Sequence, residues 1–202
     1  MNILFLTLAN INSITERGIY TDFLRKLEEQ GHSIHVVCPN ERRERKNTEI
    51  HIDKRFQLLR VKTFNIQKTN FLEKGLATLA IEYQYLFAIK KYFDKTKFDL
   101  VIYSTPPITF YKVIDFIKKR DNASSYLLLK DIFPQNAIDM SIFKRNGVLH
   151  KFFKNKENKL YTISDHIGCL SQANVDYLKK HNPNLDFNKL EINPNTIIIL
   201  QD

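Results

Sequence analysis

Cysteine is scarce in this sequence, and its scarcity removes several chemistries. Cys38 and Cys169 are the only two, far apart and in no CxxC or metal-ligand spacing. They read as reduced core thiols of a cytosolic protein rather than as a disulfide framework. Long apolar runs are missing too. A membrane-spanning helix needs ~20 predominantly apolar residues. The longest apolar-rich segment, Leu76–Phe93, is interrupted by Glu82, Gln84, Lys90 and Lys91. ILFLTL near the start is too short for a secretion signal and has no basic stretch before it, so no signal peptide is expected. There is no internal repeat and no low-complexity tract.

Familiar α/β motifs are equally absent. No GxGxxG follows the first apolar run, which argues against a classical-type dinucleotide site. There is no GxxxxGK[ST] phosphate loop and no GxSxG nucleophile elbow. The first run ends in Thr7-Leu8-Ala9-Asn10, without the acidic pair that a phospho-receiver domain needs for magnesium. His, Cys and Asp show no metal-ligand spacing. The six histidines are scattered, and none acquires a catalytic role from its spacing.

What is present is an alternation of strands and helices over 202 residues, a length that suits one large α/β domain. Ile3–Leu8 is a continuous apolar run, as in a strand buried on both faces. A helix follows over Arg17–Gln30, stopped by Gly31. Ile34–Cys38 is the second strand, closed by Pro39, and a basic loop leads to a third at Phe56–Val61. Asn70 is placed to cap a long helix reaching Phe93. Further strands are expected at Phe98–Tyr103, Ser125–Leu129, His166–Leu170 and Lys189–Ile192. Helices are expected at Ile108–Arg120, Gly147–Thr162 and from Ser171 or Gln172 to Lys180. The pattern predicts a Rossmann-like, mostly parallel sheet with helices on both faces. Ligands of such sheets sit beyond the carboxyl ends of the strands. Three segments lie there: Ala9–Gly18, Ser104–Pro107 and Lys130–Gln135.

The long helix is unusual. Leu72, Leu76, Leu79, Tyr83 and Leu86 form one apolar face, and Ile81, Tyr85, Ala88, Ile89 and Tyr92 a nearly opposite one. Such a helix is buried, or it lays its second face on a partner or a bilayer. The net charge of +9 is concentrated in Arg42–Lys62 and Lys144–Lys159, each with a surplus of five positive charges. These stretches suit phosphates, an acidic membrane surface, or simply water. Nucleic acid is not expected, since no RNP-like, zinc-finger or GXXG module accompanies the charge.

Several segments, in order along the chain, resemble the amino-terminal half of GT-B glycosyltransferases. They are Arg17-Gly18-Ile19-Tyr20-Thr21-Asp22-Phe23-Leu24, Glu29-Gln30-Gly31-His32 and Val36-Val37-Cys38-Pro39. Glu41-Arg42-Arg43, Tyr103 through Ile108, and Lys130 through Gln135 are similar, more narrowly, to family-4 enzymes of bacterial capsule, O-antigen and exopolysaccharide synthesis. Ile192-Asn193-Pro194-Asn195-Thr196 is similar to the hinge before the second domain. The resemblance implies an amino-terminal acceptor-side domain over 1–192, with the interdomain linker starting at 193–202. Family members are about twice as long, and their second domain holds most of the sugar-nucleotide site.

The resemblance also implies roles. Asp131 would orient or deprotonate the acceptor hydroxyl, and its alternative role is to cap the helical turn that follows. Thr15, Arg17 and Gly18 would approach donor phosphates at a helix amino terminus, Gly18 alternatively only easing the turn. Ser104 and Thr105 would reach an acceptor sugar or serve the turn, and Lys130 would contact a phosphate. The partners implied are a nucleotide-sugar, which is a substrate rather than a cofactor, a lipid-linked glycan acceptor, and a carboxyl-terminal GT-B domain in cis or trans. The location implied is the cytoplasm, peripheral on the inner face of the membrane. A non-catalytic subunit or truncated product that pairs with a separate donor domain is the alternative.

Overall fold

A computed structural model of the chain describes residues 1–67, 71–142 and 144–194. Asn70, the expected helix cap, lies outside the described residues, as do the Leu72 side chain, Asn195, Thr196 and the rest of the expected linker. The strands are β1 (Asn2–Leu6), β2 (Ser33–Glu41), β3 (Glu49–Asp53), β4 (Phe56–Thr63), β5 (Leu100–Ser104), β6 (Ser124–Leu129), β7 (His166–Cys169) and β8 (Leu190–Ile192). The helices are α1 (Ile19–Glu29), α2 (Phe71–Tyr92), α3 (Tyr111–Asp121), α4 (Gln135–Asp139), α5 (Val148–Ile163) and α6 (Gln172–His181). The strands form one sheet in the order β3-β4-β2-β1-β5-β6-β7-β8, parallel except for the β3–β4 pair. This is the expected Rossmann-like domain.

Alternation along β1 divides the core. Leu4 and Leu6 pack with α2, α3, α5 and α6 on one face. Ile3 and Phe5 pack on the other with Leu24 of α1 and Ile11 of the loop before it. Both sets are fully enclosed, which is why β1 reads as an unbroken apolar run. Gly31 ends α1 in the left-handed region, φ +89°, where a side chain would be strained. Buried Glu82 of α2 accepts the Lys112 backbone N–H at 2.6 Å in the first turn of α3, and Lys156 of α5 lies 4.0 Å away. One carboxylate thus ties three helices together, placed where the α3 dipole favours negative charge.

Three expectations need correction. Pro39 does not close β2, which continues to Glu41. The Val37 carbonyl faces β1 and accepts from Thr7, so Pro39, two residues on, faces the same side. There β1 has already given way to a loop, and the missing N–H breaks no ladder. The basic loop before β4 is partly a strand, β3, paired as a hairpin. Its residues are mostly exposed, so no apolar alternation betrayed it. Finally, of the two readings left open for α2, burial all round fails: Ile81, Tyr85 and Ile89 are enclosed, but Leu76 is 69% and Phe87 65% exposed.

His35 sits on β2, 4% exposed, edge-on to Phe93 and Phe98. Burial lowers its pKa from 6.5 to about 4, and Gln57 on the neighbouring strand offsets only part of this. The unfolded chain therefore takes up the proton first, and this contribution to stability is lost as pH falls from 6.5 towards 4. Relative to His35→Leu, the parent protein should lose up to about 3 kcal/mol across that window in urea titrations. A constant difference between the two proteins would rule this out.

Candidate functional site

The neighbouring parallel strands β2, β1, β5, β6 and β7 end at one edge of the sheet, so the loops after them are brought together. Two buried hydroxyls organise the centre. The Tyr85 hydroxyl donates to the Thr7 carbonyl at 2.8 Å, and Ser104 Oγ reaches Thr7 Oγ1 at 3.4 Å. These contacts bind the ends of β1 and β5 to α2.

Thr105 is the clasp between the β5 and β6 loops. Its Oγ1 donates to the Asp131 carbonyl at 3.1 Å and accepts the N–H groups of Lys130 at 3.1 Å and Asp131 at 3.2 Å. The Thr105 N–H in turn donates to the Leu128 carbonyl at 3.1 Å. Ser104 and Thr105 are 2% and 1% exposed, so both hydroxyls are turned inward. Here they shape the β5 and β6 loops rather than offering hydroxyls to solvent.

Asp131 is half-buried, at the carboxyl end of β6. The Asn136 Nδ2 of α4 lies 2.7 Å from both of its carboxylate oxygens. Asp131 is not a helix cap: Pro134 holds the cap position before α4, with no side-chain capping bond. Asn136 was not singled out from the sequence, although a side-chain amide five residues from an aspartate across a short turn is a legible signal. Lys130, next to Asp131, is half-buried, and burial lowers its pKa.

The loop after β1 forms a second wall. Arg60 of β4 donates to the Ile11 carbonyl at 3.1 Å and to Asn12 Oδ1 at 2.6 Å, and Arg25 donates to the Ile14 carbonyl at 2.8 Å. Ser13 and Thr15 share a 2.8 Å hydrogen bond between their hydroxyls. Gly18 precedes α1 with extended backbone that any residue adopts. A Cβ there would lie 3.2 Å from Thr21 Oγ1, so close approach rather than backbone freedom is what a larger residue disturbs. No side chain caps α1, leaving its first N–H groups beside exposed Arg17. Arg43 and Arg60 of the basic stretch are held internally, Arg43 by Glu41 and the Gln67 carbonyl.

Residues 19–199 match the family model of Glycosyltransferase Family 4. The chain belongs to that family. No curated protein matches the sequence. Sucrose-phosphate synthase from Thermosynechococcus elongatus is similar over 96% of this family-4 chain, with a TM-score of 0.64 and 12% identity. A structure of trehalose-6-phosphate from E. coli bound with UDP-2-fluoro glucose is similar over 85%, with a TM-score of 0.58 and 9% identity. The glycotransferase of kitacinnamycin is similar over 98%, with a TM-score of 0.56 and 10% identity. At these identities the likeness is one of fold, that of the Rossmann-like amino-terminal domain of GT-B proteins. The chain covers 48%, 40% and 52% of those three structures, about half their length.

If Thr105 is the clasp, its oxygen matters more than its methyl. Thr105→Val leaves buried backbone groups unpaired and should cost about 2–3 kcal/mol in urea denaturation. Thr105→Ser keeps the oxygen and should cost less than about half as much. Equal losses in the two variants would contradict this assignment.

Proposed function

We propose that this chain is the acceptor-binding half of a glycosyltransferase. The enzyme would move a sugar from a nucleotide-sugar to a lipid-linked glycan in bacterial surface-polysaccharide synthesis. One observation carries the reading: a family-4 domain, half the length of its structural neighbours, holds a half-buried carboxylate at the carboxyl edge of its sheet. Asp131 accepts the proton of the acceptor hydroxyl, or orients that hydroxyl, as it attacks the donor sugar. Asn136 aims the carboxylate and keeps it in one rotamer. Lys130, Arg17, Thr15 and the uncapped start of α1 face phosphate groups. The donor-binding half is supplied in cis through the linker starting at 193–202, or in trans.

The same reading places the domain on an anionic membrane. Leu76, Leu79, Tyr83 and Phe87 of α2 remain exposed, as do Leu149 and Phe152 of α5. Lys156 joins the two helices, 4.0 Å from Glu82 and 5.9 Å from the Phe152 ring. Lys112 stands over the Tyr83 ring at 4.3 Å. Apolar side chains rimmed by lysines suit the boundary between headgroups and acyl chains. Among the described residues no helix is long and apolar enough to cross a membrane.

Two measurements test this. With the donor-binding half present, Asp131→Asn should lower turnover by about 100-fold or more while the melting temperature holds. Near-normal turnover removes Asp131 from the site. The chain should also float with anionic liposomes at low salt, less so as salt rises, and Leu76→Glu with Phe87→Glu should abolish flotation. No flotation of the parent at low salt would overturn the membrane assignment.

A further inference from the structure

Away from the Thr105 clasp, an open cavity of about 170 Å³ is lined by α4, α5, α6 and the turn before α5. Arg145, Asn146, His150, Lys154, Tyr177 and His181 supply most of its polar wall. Three basic side chains there have donor capacity to spare. Lys154 donates to Glu157 and to Asn182 Oδ1 at 2.9 Å, which leaves the third proton of its ammonium. His150 Nδ1 accepts the Asn146 N–H at 3.1 Å, so its proton resides on Nε2, free to donate. Arg145 makes no ion pair or hydrogen bond among the described residues and brings five N–H donors. His181 stacks on Tyr177 with ring centroids 4.3 Å apart, giving the cavity a flat wall.

The nearby carboxylates are already occupied. Glu157 is 1% exposed and receives Lys154 on one oxygen and the Tyr161 hydroxyl at 2.9 Å on the other. Asp139 receives Gln135 Nε2 at 2.7 Å. The donors left over outnumber the free acceptors: His150 and Lys154 lie one turn apart on α5, and Arg145 lies in the turn before it, all lining the same cavity. We infer that this cavity binds a phosphate group, as a phosphate ester or the free anion, held by Arg145, His150 and Lys154. This phosphate site and the Asp131 site share α4, with Gln135 and Ile138 lining the cavity and Asn136 holding Asp131.

The test is calorimetric titration of the chain with inorganic phosphate at constant ionic strength. A saturable single site is expected, with affinity about tenfold weaker in Arg145→Ala and in His150→Gln. Arg145 is exposed, so the ligand-free melting temperature of Arg145→Ala should be unchanged, and the side-chain amide that His150→Gln introduces can still accept the Asn146 N–H. Arg42→Ala, in the other basic stretch, should bind as the parent does. Non-saturable uptake, equal affinity in Arg145→Ala, or equal binding of unphosphorylated hexose would overturn the site. A hexose phosphate and vesicles containing phosphatidic acid then compete against inorganic phosphate. Displacement by the vesicles identifies a lipid headgroup as the source, and displacement by the hexose phosphate alone identifies a soluble ester. Failure of both to displace it overturns the ester assignment.

Discussion

The parallel pairing of β1 with β2 on one side and β5 on the other is the constraint on which the rest depends. Parallel strands need crossovers, and the crossovers here put α1 on one face and α2 and α3 on the other. The strands must then be apolar on both faces, and their carboxyl ends must share one edge. Polar residues that cannot enter the sheet collect at that edge. The candidate site is therefore a by-product of how the core is built, and it inherits the core's rigidity.

The edge is held by backbone groups more than by pairs of side chains. Tyr85 and Thr105 each spend a buried hydroxyl on carbonyls or N–H groups of a neighbouring loop. An unmade bond in such a place costs its full desolvation. That fixes the β5 and β6 loops against one another and leaves Asp131 with Asn136 as its side-chain partner. The cation-rich cavity lies one helix further along, where α4 is short enough to touch both.

Much of the architecture was legible because burial writes itself into composition. The runs at β1, β5 and β6, the Gly31 stop and the start of α6 next to Ser171 all follow local rules; the structure adds the cap bond from Asn174 N–H to Ser171 Oγ at 3.4 Å. β3 was not legible, because an exposed edge hairpin has no apolar face to alternate. Pro39 misled because its tolerance depends on where the neighbouring strand stops, a fact of pairing and not of β2 itself. Asp131, Lys130, Thr105 and Arg17 could be chosen from their place after strands. Whether each faces solvent, backbone or another side chain was beyond local pattern.

The sequence by itself determined the fold class and the sheet edge at which the candidate site lies. Strand and helix periodicities are properties of neighbouring residues, and they dictate a parallel sheet. Tertiary structure alone decided that Ser104 and Thr105 turn inward, that Asn136 meets Asp131, and which face of α2 stays bare. It also decided that Arg145, His150 and Lys154 gather round one cavity. Those outcomes depend on contacts between segments distant in the chain, and no local periodicity encodes the packing that selects them.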